Sequence, residues 1–182
     1  MERVPYLERS LAQTPDEVAV FERLERERRM PTPNIFRAIA NAPRQLDGML
    51  TYAAALRQAV ELGPRLRELV ILAIGSVKKG RYIVAHHQMD ALNAGFTPEH
   101  LEAISRGEGD RALFSELEAA VLQFGRAIGE EADVSDELWA VLSKHLTPRQ
   151  LVQLTLTASW YCSGMITTRV LGVSLEQYYP QA

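Results

Sequence analysis

Apolar residues recur along most of the chain with the spacing of an amphipathic helix. Leu138, Val141, Leu142 and Leu146 form one such stripe, and no segment shows the strict alternation of apolar and polar residues that is typical of a strand. The pattern therefore predicts an all-α protein. We expect helices at residues 15–28, 33–40, 43–60, 64–78, 81–94, 98–105, 115–129, 135–145 and 148–171.

Residues that begin and end helices stand at the edges of these segments. Thr-Pro occurs four times, at residues 14, 32, 97 and 147, and threonine as N-cap followed by proline favours a helix start. Thr14 with Glu17 matches a capping box, and a second box begins at Ser115. Gly95 and Gly172 stand where a left-handed residue is expected after a helix.

The sequence indicates the domain boundary less clearly than it indicates the helices. Residues 1–31 are expected to form an N-terminal arm or helix, and residues 22–30 carry a dense mixture of charges that is typical of a solvated helix face with i,i+4 ion pairs. Residues 32–182 are expected to form one helical domain. Residues 67–72 (RELVIL) resemble residues 149–154 (RQLVQL). Either a weak repeat of two helix pairs or recurring helix-cap residues explains this likeness.

Composition and charge exclude several classes of function. The chain has 182 residues, 47% of them hydrophobic, and a net charge of -3, which gives no basic surface for nucleic acid. The longest apolar run, residues 69–74, is much shorter than the roughly 20 residues that span a membrane. The N-terminus shows no apolar signal region, and the single cysteine, Cys162, cannot form an internal disulfide. We expect a cytoplasmic protein.

Glu68 directly precedes the apolar run 69–74 and is the first candidate for chemistry. A carboxylate in such a helix is either paired or has a raised pKa, and a raised pKa suits a general acid or base. The alternative is an exposed glutamate near Arg65 and Arg67.

Two adjacent histidines, His86 and His87, follow on the next predicted helix. Adjacent helical residues point about 100° apart, so the two rings cannot share one site. Tyr82 lies one turn before His86. Asp90 is the only candidate metal ligand four residues from either histidine, and we expect no metal.

Three cations, Lys78, Lys79 and Arg81, cluster at the break between the two helices. A helix N-terminus favours anions, so a substrate carboxylate is one interpretation, and solvated loop charges are the other. Cys162 has no base or cation near it in the sequence, which indicates a packing residue.

The region from about residue 65 to 104 resembles the carboxymuconolactone decarboxylase-like superfamily, which includes the alkylhydroperoxidase D-type proteins. The likeness rests on Leu66–Leu69 (LREL), a long apolar helix, a break, a histidine-bearing helix and Ala91–Gly95 (ALNAG). The peroxidase branch has glutamate, eleven residues, Cys-x-x-Cys, three residues and histidine. Glu68 and His87 occupy the glutamate and histidine positions, but the two cysteine positions fall on Gly80 and Ile83.

The resemblance implies a helical bundle of the alkylhydroperoxidase D type that assembles as a homo-oligomer, a trimer or a hexamer. Without two thiols the peroxidase reaction has no disulfide to form. The decarboxylase branch instead implies cofactor-free acid–base chemistry on a small carboxylate or lactone. The expected catalytic residues are Glu68, His87 and Tyr82, and the expected substrate-binding residues are Lys78, Arg81 and His86.

Two other interpretations stay open at this point. The chain is a non-catalytic oligomeric helical module with a vestigial site, or it is a peroxidase that uses Cys162 with a thiol from another molecule.

Overall fold

The computed structural model describes residues 2–28, 31–58 and 61–179. Within these ranges the chain forms nine α-helices and no strand, so the predicted all-α class is confirmed. The helices are α1 Pro15–Glu27, α2 Asn34–Ile39, α3 Pro43–Arg57, α4 Gly63–Lys78, α5 Arg81–Asn93, α6 Pro98–Arg106, α7 Glu116–Glu130, α8 Asp136–His145 and α9 Pro148–Leu171. None of these described helices is long and apolar enough to cross a membrane.

Local capping explains why the predicted boundaries are close to the observed ones. The side chain of Thr14 accepts from the backbone N–H of Glu17 and the carboxylate of Glu17 accepts from the N–H of Thr14, so the predicted capping box is confirmed. Ser115 begins the second box as predicted. Gly95 and Gly172 have φ angles of 90° and 65°, which confirms both left-handed helix ends.

The predicted boundaries differ from those of the structure by at most one residue, except at the end of α3. Pro33 is the N-cap of α2 rather than its first helical residue, so α2 begins at Asn34. Helix α3 ends at Arg57 rather than at residue 60. Residues 59 and 60 lie outside the described residues.

The chain divides into two compact units, residues 1–57 with 167–182, and residues 58–166. In the first unit, α1 packs against α3 through Val20, Phe21 and Leu24, which share an apolar cluster with Leu46 and Leu50. The charged face of α1 is exposed and includes the i,i+4 pair that links residues 23 and 27 at 3.0 Å. The boundary predicted at residues 31 and 32 stays a prediction.

Helix α4 is the centre of the second unit. Residues 69–74 are almost completely buried, as the apolar run predicts, and α5, α6 and α7 all pack against α4. Gly125 of α7 lies so close to α4 that a Cβ atom there would come within 2.7 Å of the Ala73 Cβ. Close packing on several sides therefore fixes α4 and the residues it carries.

The two similar segments have different continuations. The first segment, residues 67–72, lies on α4. This helix ends at Lys78, its C-cap Lys79 has the left-handed conformation with φ 52° and ψ 42°, and α5 then begins at Arg81. The second lies on α9, which continues without a break from Pro148 to Leu171. The predicted helix pair is therefore present at the first copy, while the second copy is a single long helix.

Candidate functional site

The turn between α4 and α5 brings Glu68 and His87 together. His87 Nδ1 lies 2.7 Å from Glu68 Oε2, and Arg67 Nε donates to Glu68 Oε1 at 2.9 Å. The side chain of Glu68 is only 2% exposed, whereas that of His87 is 16% exposed. The interpretation of Glu68 as an exposed glutamate is therefore wrong, and the interpretation as a paired carboxylate is confirmed.

The environment of Glu68 favours its charged form. Burial by itself raises the pKa of this carboxyl, but the hydrogen bonds and electrostatic attraction of His87 and Arg67 outweigh burial and hold the pKa below its ordinary value. The alternative of a raised pKa is therefore wrong. A lowered pKa favours an ionised Glu68 near neutral pH, the form that accepts a proton or a hydrogen bond rather than donating one.

The ionised state of Glu68 also sets the tautomer of His87. A carboxylate can only accept a hydrogen bond, so Nδ1 must be the donor, and this leaves Nε2 as the atom that takes or gives a proton. The ring of Tyr161, on α9, meets the His87 ring edge-on with centroids 4.8 Å apart. Sequence reasoning gave Tyr161 no role, because the contact joins residues far apart along the chain.

Tyr82 and His86 form a separate pair. Their rings stack with centroids 4.4 Å apart and planes 27° apart, as expected for residues one helical turn apart. Tyr82 is 6% exposed. The structure thus places Tyr82 against His86, and a catalytic role for Tyr82 and a substrate-binding role for His86 both stay predictions.

The three cations at the helix break have different positions. Lys78 Nζ bonds to Glu131 Oε1 at 3.0 Å, and its side chain is 11% exposed. Lys79 and Arg81 are exposed and line a cavity of about 180 Å³ between α4, α5 and α6, which Lys78 does not line. The sequence singled out Lys78 and Arg81 for substrate binding, whereas the structure brings Lys79 and Arg81 together.

The cavity lies one helical turn from the Glu68–His87 pair. Its wall includes Leu72, four residues after Glu68 on α4, and Val84, three residues before His87 on α5. Residues with these spacings share a helix face. Neither member of the pair is among the residues that line the cavity, but each lies on the same helix face as a residue that does.

The positions of the two family cysteines are packed against α9. A Cβ atom on Gly80 would come within 2.8 Å of the Cγ and Sδ atoms of Met165, and a Cβ atom on Gly164 would lie 3.7 Å from Ile83 Cδ1. Met165 thus occupies the space that a side chain at position 80 would need. The structure gives a packed apolar contact where the redox pair stands in the peroxidase branch.

The environment of Cys162 disfavours the thiolate form of its side chain. Burial raises the pKa of its thiol, and although Lys78 lowers that pKa and Glu131 raises it, the net shift is upward. A raised pKa disfavours the nucleophilic thiolate. The effects of Lys78 and Glu131 depend on tertiary proximity that the local sequence could not reveal.

Three side chains of the site also offer metal-ligand atoms. Donor atoms of Glu68, His87 and Asp90 lie within 4.8 Å of one another. Glu68 Oε2 and His87 Nδ1 already bond to each other, so an ion bound to both of these atoms would have to displace their hydrogen bond. The expectation of no metal stays a prediction.

Comparison with known proteins agrees with this site and fold. The model of the carboxymuconolactone decarboxylase family matches residues 43–125, just under half of the chain, a segment that includes both Glu68 and His87. No curated protein gives a significant match.

Several solved structures share the fold at low sequence identity. A cysteine-to-alanine variant of the debrominase Bmp8 with bound 2,3,4-tribromopyrrole is 16% identical, with 96% of this chain and 91% of that chain covered and a TM-score of 0.79. The alkylhydroperoxidase AhpD core protein of Ralstonia eutropha JMP134 is also 16% identical, with 97% and 93% covered and a TM-score of 0.75. A protein of unknown function from Agrobacterium tumefaciens is 15% identical, with 76% and 94% covered and a TM-score of 0.68.

Residues 43–125 are therefore similar to the carboxymuconolactone decarboxylase family, and this match, together with the shared helical fold, supports the predicted resemblance to the superfamily that includes the alkylhydroperoxidase D-type proteins.

Proposed function

We propose that the protein is a cofactor-free acid–base enzyme, of decarboxylase or lyase type, that acts on a small organic acid or lactone. The observation that carries the proposal is the 2.7 Å hydrogen bond between the buried Glu68 carboxylate and His87 Nδ1. A histidine oriented by a carboxylate is a common arrangement for proton transfer.

Each residue of the pair has a defined part in this chemistry. Glu68 accepts from Nδ1 and holds the ring in one tautomer, while the other ring nitrogen, Nε2, moves the proton. Arg67 balances part of the Glu68 charge at 2.9 Å. Glu68 is a positioning residue, because in this mechanism it acts only through the histidine.

The packing around the former cysteine positions supports acid–base rather than redox chemistry. Met165 fills the space beside Gly80, and burial raises the pKa of the Cys162 thiol. A peroxidase reaction based on Cys162 would need an accessible thiolate, which this environment disfavours.

The test is turnover of carboxymuconolactone-like compounds. We expect His87→Ala to lower kcat by about 10²–10⁴-fold, the usual contribution of a general acid or base. His145→Ala is the control, since the Nε2 atom of that histidine lies 2.8 Å from Glu116 Oε2, away from the Glu68–His87 pair, and it should retain most of the activity. Unchanged turnover in His87→Ala would refute the assignment and favour the vestigial-site alternative.

We also propose that the protein assembles as a homo-oligomer through α9. Between Arg149 and Arg169 this helix has no charged residue. Val152, Leu156 and Ile166 are nevertheless 58%, 42% and 43% exposed. Interface cores are depleted in charged residues, so an uncharged exposed face of a helix about 36 Å long supports a protein contact.

The order of the exposed residues favours a second copy of the same chain. Leu156, Ser159, Ser163 and Ile166 follow one helix face with spacings of three, four and three. Two antiparallel copies therefore pair Leu156 with Ile166 and Ser159 with Ser163, as a two-fold contact requires. A hexamer with dihedral symmetry contains such two-fold contacts and a cyclic trimer does not, so of the two predicted assemblies we propose the hexamer.

A further inference from the structure

The cavity beside the Glu68–His87 pair has a buried floor and a solvent-facing rim. Leu72 and Ile104 on the floor are 4% and 2% exposed, and Val84 also contributes to the wall. Lys79 and Arg81 lie on the exposed side. The floor is therefore apolar and the two cations stand where the cavity meets water.

The volume of the cavity sets the size of the group it can hold. An engineered apolar cavity of about 150 Å³ binds benzene in another protein. At about 180 Å³, this cavity matches an apolar body of about the size of one six-membered ring. A longer or fused body would extend into solvent.

The charges at the rim set the chemistry of the rest of the ligand. Lys79 forms no ion pair with any other described residue, and Arg81 is the first residue of α5, where the helix N-terminus also favours an anion. The left-handed backbone of Lys79, with φ 52°, is unusual for a residue with a Cβ atom. A single carboxylate at the rim would have cations beside it, whereas a second carboxylate against Leu72 and Ile104 would be buried among apolar side chains.

We propose that this cavity binds a small monocarboxylate, with its ring-sized apolar body against the floor and its carboxylate between Lys79 and Arg81. The proposal rests on the proposed function, because it names a substrate class for an enzyme whose Glu68–His87 pair lies one helical turn from this cavity. It distinguishes the ligand from dicarboxylic lactones, which carry a second charge.

Binding is tested by isothermal titration with three probes of similar shape: cyclohexanecarboxylate, its neutral carboxamide, and trans-1,4-cyclohexanedicarboxylate. We expect the monocarboxylate to bind at least about fivefold more tightly than either of the others, a modest effect that suits a partly exposed charge contact. Absence of binding, equal binding of acid and amide, or tighter binding of the dicarboxylate would each overturn the proposal.

Three variants locate the binding. Lys79→Asn removes the charge but tolerates the left-handed backbone, and it should weaken monocarboxylate binding by about fivefold, while Lys79→Arg should retain it. Ser105→Phe adds bulk to an exposed lining residue and should abolish binding, with folding checked by circular dichroism. Lys144→Asn is the control, since that lysine pairs with Glu116 and does not line the cavity. Loss of binding in the control, or retention in Ser105→Phe, would contradict the assignment.

The same titration separates this proposal from the proposed function. His87→Ala should bind the monocarboxylate normally while losing turnover. If the wild type turns over its substrate but binds none of the three probes, the cavity assignment fails and the enzyme assignment stands. If the probe binds and no turnover is found, the enzyme assignment fails alone.

Discussion

The replacement Glu68→Gln tests the electrostatic core of the site with almost no change in shape. Glutamine has nearly the volume of glutamate, so packing against the buried residues of α4 is retained. The replacement removes the negative charge that Arg67 and His87 share. It also places one N–H₂ group against one of two hydrogen-bond donors.

The expected loss of stability follows from the two bonds. Glu68 accepts from Arg67 Nε at 2.9 Å and from His87 Nδ1 at 2.7 Å. A hydrogen bond to a charged group contributes about 1.5–3 kcal/mol and a neutral one about 0.5–1.5 kcal/mol. The neutral amide weakens both bonds, because its oxygen can accept from only one of the two donors and its N–H₂ group is paired only if His87 shifts its proton to Nε2. We therefore expect the free energy of unfolding to fall by about 2–4 kcal/mol at neutral pH.

The effect should depend on pH in a defined direction. Folding lowers the pKa of Glu68 from its ordinary value of 4.5, so the unfolded chain takes up the proton first as the pH falls. The stabilisation is fully present above about pH 4.5 and is lost as the pH falls through the lower folded-state value. The difference between wild type and Glu68→Gln should therefore shrink progressively below pH 4.5.

Urea unfolding followed by circular dichroism, at neutral pH and at several values below 4.5, measures this difference. Glu102→Gln is the control, because Glu102 and its partner Arg106 are 67% and 50% exposed, and such a pair contributes less than about 1 kcal/mol. Equal destabilisation by the two replacements, or a gap for Glu68→Gln that is constant with pH, would show that the charge of Glu68 does not stabilise the fold.

Three further predictions concern packing, the thiol and assembly. Gly75→Ala should lower the free energy of unfolding by about 1–3 kcal/mol, because its Cβ would come within 2.3 Å of Val84 Cγ2. Gly48→Ala, whose Cβ would have nothing within 4 Å, should raise it by about 0.5–1 kcal/mol. Urea unfolding in which both variants change in the same direction would contradict this. A disulfide reagent should modify Cys162 more slowly than free cysteine at neutral pH, since the pKa of its thiol is raised, and rapid labelling would argue against it. Light scattering should give a smaller mass for Leu156→Glu but not for Met89→Glu, which is exposed on α5, and an unchanged mass for Leu156→Glu would exclude the α9 contact.

The helices could be predicted because their start and stop signals are local. The capping boxes of Thr14 and Ser115 form within three residues. The apolar run at residues 69–74 is buried because other helices surround α4 on several sides. The Glu68–His87 contact could also be anticipated, since α4 and α5 are adjacent in the chain and a short break folds one back on the other.

The rest of the site depends on contacts between distant residues. Tyr161 against His87 and Met165 against Gly80 both come from α9, and no local pattern indicates which face of that helix turns inward. The choice between Lys78 and Lys79 depends on the left-handed conformation of Lys79. That conformation is unfavourable for lysine, so helical periodicity could not predict where Lys79 lies.

The tautomer of His87 shows directly whether an ionised Glu68 orients the histidine ring for proton transfer. Nitrogen-15 NMR of the histidine side chains, at a pH high enough for neutral rings, reports which ring nitrogen carries the proton. Because ionised Glu68 accepts from His87 at 2.7 Å, we expect the wild type to carry a proton on Nδ1 and none on Nε2. The balance of the two tautomers should differ in Glu68→Gln. A proton on Nε2 in the wild type, or no change in the variant, would contradict the account.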